Sequence, residues 1–280
     1  IELNNNIYTD GGNDTETTPV VLVHGFPVDH RMWDECAAAL RDQAVKPFAI
    51  WAPDMPGAGE GPIPSDEDSG GKDADGAFPY GLDRMADAYV DLLHAAGYSK
   101  AIWVGLSMGG YLILDIQRLH PEAVAALALC DTKADADSAG MRLKRVAIAT
   151  DCETTGTHEP VMGFAVPSEA DSTVKQSDAY CRQFETWINE QPAVGIAWRE
   201  RMAAGRPDLN DVLPNINVPV AVICGDKDPS SPPAVMKPVA DAMTKTDVTM
   251  TVIDDCGHFS AYEHPDQVAA ALLELVKRVG

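Results

Sequence analysis

Residues 101–111, AIWVGLSMGGY, constrain this chain more than any other stretch. Ala101, Ile102, Trp103 and Val104 form an apolar run that passes straight into Gly105-Leu106-Ser107-Met108-Gly109, and a second apolar run continues to Leu119. That order predicts strand, sharp turn, helix. Glycines two before and two after a serine let the backbone turn tightly enough to hold the serine strained, with its hydroxyl exposed. The first amide of the following helix then points at whatever the hydroxyl attacks. A five-residue G-x-S-x-G pattern also arises by chance; the strand before it and the helix after it are what give it meaning.

The rest of the chain supplies a sheet for such a turn. Residues 19–24 (PVVLVH) are continuously apolar, as expected of a strand buried on both faces, and end in His24-Gly25-Phe26-Pro27. That loop lies at the carboxyl end of its strand, where open α/β sheets place their ligands. A lone histidine such as His24 is more often structural than catalytic. Residues 32–40 read as a helix capped by Asp29, and residues 48–52 as the next strand. Residues 1–10 read as an edge hairpin, and residues 11–18 as a polar turn. Residues 59–79, with DEDSGGKDADG at their centre, read as a mobile surface insertion. Its carboxylates lack the glutamate an EF-hand requires at its twelfth position, so no calcium loop is expected. Leu82, Met85, Ala86, Tyr89, Val90 and Leu93 then recur at helical spacing.

After a strand at 124–129 the alternation stops. Residues 132–211 show only helical patterns, at 140–150, 173–191 and 193–204, and read as a lid over the catalytic edge of the sheet. Strand and helix then resume: a strand at 218–224 runs into Gly225-Asp226-Lys227-Asp228-Pro229, a helix covers 235–243, and the last strand at 248–253 leads to Gly257-His258-Phe259. A final helix opens at Pro265. The expected fold is a doubly wound, mostly parallel α/β sheet, with core at 1–131 and 212–280 and a helical lid at 132–211.

Composition narrows what such a domain can touch. The chain has 280 residues, 45% of them apolar and 23% charged, with a net charge of −22. That surface repels nucleic acid and anionic membranes, so neither is an expected partner. Six cysteines, at 36, 130, 152, 181, 224 and 256, show no metal-ligand spacing, and a reducing cytoplasm is the simplest home. A Cys152–Cys181 pairing is left open by sequence. No stretch reaches the length of a membrane span.

Ser107, an acid after the next-to-last strand and His258 after the last stand in the chain order of the α/β-hydrolase superfamily, which this chain strongly resembles. Four motifs carry the resemblance: His24-Gly25-Phe26-Pro27, Gly105 to Gly109, Gly225-x-x-Asp228 and Gly257-His258. HGFPVDHRMW and the stretch ending VAVICGDKD look most like small lidded esterases, enol-lactonases and cofactor-free perhydrolases. Ala58-Gly59-Glu60-Gly61 departs from the G-x-G-x-S of many relatives. The resemblance implies a catalytic triad of Ser107, Asp228 and His258, with the amides of Phe26 and Met108 as an oxyanion hole and no metal or organic cofactor. Asp226 and Asp131 are the other candidate acids. Serine at 107 argues against the dehalogenase and epoxide hydrolase branches, which use a carboxylate nucleophile. Phe26, Met108 and the lid's Trp187 are the expected substrate contacts. The nearest cations, Arg31 and Arg142, are expected at the surface.

Hydrolysis of a small carboxylic ester or lactone is the first functional expectation. A proline-iminopeptidase-like aminopeptidase is its neighbour, and would need lid carboxylates such as Glu159, Glu169, Glu185 or Glu190 to hold an amine. A slow-turnover ligand receptor on the same fold is the alternative from another class.

Overall fold

The structure, a computed structural model, describes residues 1–11 and 17–279. Seven strands form one sheet: β1 (Asn4–Asp10), β2 (Val20–Val23), β3 (Ala49–Asp54), β4 (Ala101–Leu106), β5 (Val124–Cys130), β6 (Val220–Gly225) and β7 (Val248–Ile253). Their spatial order is β1-β3-β2-β4-β5-β6-β7, with β1 antiparallel to β3 and every other pairing parallel. The runs that lack alternation in sequence, β2, β4 and β6, are buried throughout. They take interior positions, none at an edge, because burying both faces of an apolar strand removes the most surface from water.

Connections decide where chemistry can sit. The step from β2 to β3 crosses the sheet one way and the step from β3 to β4 comes back, so right-handed crossovers place α1 (Asp34–Gln43) and α2 (Gly81–Ala95) on opposite faces. α3 (Met108–Leu119) packs with α2, and α9 (Pro265–Val279) packs with α1. The reversal leaves a crevice at the carboxyl ends of β2 and β4, which are hydrogen-bonded neighbours. The loops carrying Phe26 and Ser107 are therefore forced together.

Between β5 and β6 every element is helical: α4 (Ala139–Thr155), α5 (Asp178–Glu190), α6 (Ala193–Gly205) and short 3-10 turns. Residues 173–177, expected within α5, lie before it, and the Ser177 side chain caps the helix by accepting from the Tyr180 amide. On α6 every residue from Gly195 to Ala204 is buried.

Two expectations change. Residues 1–10 are not a hairpin but contain one edge strand, because the amides and carbonyls of β1 pair with β3 rather than with their own neighbours. Residues 59–79 are not a free surface insertion. Trp198 Nε1 donates to Ser69 Oγ at 2.8 Å, the Phe78 amide donates to the Arg201 carbonyl at 3.0 Å, and Arg142 pairs with Asp73 and Asp75. The acidic side chains that suggested a solvated loop staple it to α4. The polar turn expected at 11–18 lies largely outside the described residues. The six cysteines are free thiols, Cys152 and Cys181 included.

Candidate active site

Ser107 sits between β4 and α3 with φ 54°, a left-handed conformation that costs a non-glycine residue about 1–3 kcal/mol. The neighbouring glycines are needed for space. A Cβ on Gly105 would lie 2.3 Å from the Gly109 carbonyl oxygen, and one on Gly109 would lie 2.3 Å from that of Val23. The turn is held from below: the Ser107 amide donates to the Cys130 carbonyl at 2.9 Å, and Thr132 Oγ1 donates to the Ser107 carbonyl at 2.7 Å. Ser107 is left half-buried with its hydroxyl facing His258.

A hydrogen-bonded chain runs through that hydroxyl. His258 Nε2 lies 2.9 Å from Ser107 Oγ, and His258 Nδ1 lies 2.9 Å from Asp228 Oδ2. The other oxygen of Asp228 accepts the Ser230 amide at 2.8 Å, which fixes the carboxylate in the turn after β6. Burial pushes the His258 pKa down, but the facing Asp228 carboxylate, with Asp131 and Glu263 behind it, outweighs this and holds the imidazole above its ordinary value.

The three candidate acids separate clearly. Asp228 touches the imidazole. Asp226 is exposed and accepts the Cys256 amide at 3.1 Å, as a turn residue. Asp131 is fully buried at φ 46°, and its oxygens accept the amides of Gly225 (3.0 Å) and Ser260 (3.4 Å). Burial first, then the nearby Asp228 charge, raises its pKa. His24 is structural: its Nδ1 meets the Gly25 carbonyl at 2.9 Å, its Nε2 accepts the Met55 amide at 2.9 Å, and burial pushes its pKa down to about 4.

Phe26 and Met108 flank the serine from β2 and α3, and both side chains are buried. Phe164 of the helical insert packs edge-on against Phe26 (ring centroids 6.0 Å) and Phe259 (6.3 Å), so it bridges the two loops that border Ser107. A cavity of about 230 Å³ opens beside His258. Its walls are Pro160, Val161, Phe164, Tyr180, Pro229 and Phe259, with Lys175 and Ser230 as polar groups. A larger cavity of about 330 Å³ lies at the amino end of β4, against Ile102 and Phe48, at the opposite end of the sheet from the triad.

Trp187 does not join this site. It packs against Phe184 and Tyr262, both at 5.4 Å, with the Arg31 guanidinium 5.6 Å from its ring, and it lines a separate outer groove. Trp187, expected from the sequence as a substrate contact, is not among the residues that wall the cavity beside His258. Arg31 pairs with Asp29 and Glu190, and Arg142 with Asp73 and Asp75, so neither cation faces the serine.

Three nearby groups escaped the sequence reading. Glu263 accepts the amides on both sides of His258, from Gly257 (2.7 Å) and Phe259 (3.3 Å), and also the Ser172 hydroxyl from the insert. Its signal was an acid five residues past the histidine. Lys175, paired with Asp171, borders the His258 cavity. Arg199 lies under the Phe26 ring, nearer the site than Arg31 and Arg142, the cations the sequence puts forward. One carboxylate–imidazole cluster, Asp29, His30 and Asp54, brings three donor atoms within reach of a single ion. Asp54 is already occupied by Asn4, Asn6 and His30, and Asp29 by Arg31 and Gln191, so the cluster reads as a knot tying β1 to the loop after β2.

A serine, an imidazole and a buried carboxylate in one chain of hydrogen bonds, on a strained strand-to-helix turn at a topological switch point, define the serine hydrolase class of site. Residues 20–271 match the model of the alpha/beta hydrolase family, and the chain belongs to it. It is 24% identical over 279 residues to a pimeloyl-[acyl-carrier protein] methyl ester esterase of Methylococcus capsulatus, covering 92% of this chain and 94% of that one. It is 26% identical over 264 residues to a dihydrolipoyllysine-residue acetyltransferase component of an acetoin cleaving system from Pseudomonas putida, covering 93% of this chain but 64% of the relative. Of the bifunctional epoxide hydrolase 2 of Sus scrofa it covers only 18%. Among solved structures, a thermophilic esterase from Thermogutta terrifontis superposes with a TM-score of 0.83 at 29% identity, covering 100% of this chain and 94% of that one.

Proposed function

We propose that the protein is a serine hydrolase that cleaves small carboxylic esters through an acyl-enzyme. The observation that carries this reading is the unbroken Asp228–His258–Ser107 hydrogen-bond chain. His258 takes the Ser107 proton as Oγ attacks the ester carbonyl. The amides of Phe26 and Met108 hold the resulting oxyanion, each such donor being worth about 100- to 1000-fold in rate. His258 then passes the proton to the departing alcohol, and water repeats the sequence on the acyl-enzyme. Asp228 keeps the imidazole in the tautomer whose Nε2 is free to accept. The names of the Methylococcus and Thermogutta relatives, both esterases, agree with this chemistry.

The general acid must stand beside the leaving group, so the cavity against His258 receives one arm of the ester. Its walls are aliphatic and aromatic, and each methylene buried there contributes about 0.8 kcal/mol. Residues 132–211 act as the lid, with Phe164 spanning both loops. An N-terminal peptidase is disfavoured: Glu159, Glu169, Glu185 and Glu190 are all exposed, and none borders the cavity beside His258. A small-molecule substrate in a reducing cytoplasm suits the free cysteines and the net charge of −22.

A panel of p-nitrophenyl esters of increasing acyl length, run beside aminoacyl-naphthylamides, tests the reading. The expected result is kcat/KM rising over the first few methylenes and then falling, with Ser107→Ala inactive throughout. Efficient release of N-terminal proline with no ester turnover would replace it with the peptidase. Stoichiometric labelling by a fluorophosphonate without turnover of either panel would point to a receptor.

A further inference from the structure

Among the described residues no carboxylate hydrogen-bonds to Arg199, yet it is fully buried. Its guanidinium donates instead to backbone carbonyls and one amide. Nη1 reaches the carbonyls of Val28 (2.9 Å) and Pro27 (3.3 Å), and Nη2 reaches that of Gly57 (3.3 Å) and Gln191 Oε1 (3.4 Å). Nε returns to the Gly195 carbonyl one turn back (3.3 Å), and the cation lies 5.4 Å from the centre of the Phe26 ring. Burying an arginine is costly even with the Asp29, Asp54 and Glu200 charges nearby to offset part of it, and apolar packing would fill the same space at lower cost. What apolar packing cannot do is hold three carbonyls in fixed directions.

The arm that carries this group is itself fixed. A Cβ on Gly195 would lie 2.0 Å from the Gly57 carbonyl oxygen, so the first turn of α6 rests backbone to backbone on the turn after β3. On the other side of Phe26, Gly25 is pressed against the Leu106 and Phe259 side chains, where an added Cβ would meet them at 3.0 and 3.3 Å. Phe26 is thus clamped between a tightly packed glycine and the arginine.

We propose that Arg199 is a positioning residue for the oxyanion loop: by holding the Pro27 and Val28 carbonyls from the insert, it keeps the Phe26 amide aimed at the substrate's carbonyl oxygen. This rests on the serine hydrolase reading of the site. Arginine donates but cannot accept, so it orders the loop through its carbonyls and leaves the amides free for the oxyanion. Burial lowers its pKa to about 10, which still leaves it charged at neutral pH.

The test compares Arg199→Met and Arg199→Lys with the wild-type chain in steady-state turnover of a p-nitrophenyl ester. Inhibition is measured with phenylboronic acid, which forms a tetrahedral adduct with serine, and with planar benzoate. The expected result for Met is a kcat lower by about 10- to 100-fold, the scale of a reacting group misplaced by roughly 1 Å, with KM within a few-fold. Phenylboronic acid should weaken by a similar factor and benzoate should not. Lysine, a single point donor, should fold and still lose kcat. Wild-type kcat in either variant, a loss confined to KM, or boronate and benzoate weakening in parallel would each overturn the proposal. Should Met fail to fold, the Lys variant decides alone. Ser107→Ala run alongside separates the two levels: if it stays active the hydrolase reading fails, and if it is dead while Arg199→Met is unimpaired only this proposal fails.

Discussion

The two loops that border Ser107 are braced by buried side chains of opposite sign. After β2, the cation Arg199 takes the carbonyls of Pro27 and Val28. After β7, the side chain of Glu263 takes the amides of Gly257 and Phe259. The difference follows from what each loop must present. In the proposed mechanism the first offers the Phe26 amide to a developing negative charge, so a brace that accepted from that amide would disable it. The second offers a side chain, and its amides are free to serve as handles. The helical insert reaches both, through Arg199 on one side and through Ser172 on Glu263 on the other.

That contrast can be broken most severely at the carboxylate that does chemistry rather than bracing. Asp228→Asn is expected to lower kcat by up to about 10⁴-fold, the scale of a triad acid that loses its charge, whereas Asp131→Asn should cost less than about tenfold. Steady-state ester kinetics on both variants decide it, and equal losses would mean that the acid assignment is wrong. Glu263→Gln keeps the shape but turns one amide acceptor into a donor. A fall in kcat of about tenfold with KM little changed is expected, since a misplaced imidazole impairs proton transfer more than binding; an unaltered kcat would leave the histidine loop without the brace described here. The smallest effect is on pH. Only neutral imidazole accepts the serine proton, and the carboxylates around His258 hold its pKa above the ordinary value near 6.5, so kcat/KM should rise with pH along a limb centred above that value. Activity is lost as pH falls through it. Burial and the Asp228 charge push the Asp131 pKa up to about 8, so Asp131→Asn should slide the limb to lower pH only as far as Asp131 is ionised where His258 titrates, by less than about one unit. A limb that stays put would show that Asp131 carries no charge while His258 titrates.

The core was readable because its chemistry is local. β2, β4 and β6 are continuous apolar runs, and the serine turn, the Gly225-x-x-Asp228 turn and Gly257-His258 each sit directly after a strand. At residues 1–10 the sequence showed extended edge structure but not its partner, since the polar Asn4-Asn5-Asn6 carries no sign that the backbone pairs with β3 rather than with itself. The insert hid more. Arg199, Glu200 and Arg201 are three charged residues in a row, yet they are buried together with Trp198, because the partners of the four lie far along the chain: Ser69, the Val28 carbonyl, Arg145 and Glu153. Charge in sequence marks exposure only where no distant partner exists.

The contact of Gly195 with Gly57 turns the insert from a cover into an inherited part with a fixed mounting. A foreign helix grafted at 193–205 would need a glycine where it meets the core and an arginine one turn later, because any side chain at the first position would lift the second away from the Pro27 and Val28 carbonyls. The spacing Gly-x-x-x-Arg on the last long helix before β6 is therefore a mark that can be sought in other chains of this fold. Where it is missing, the turn after β2 must be steadied by some other means.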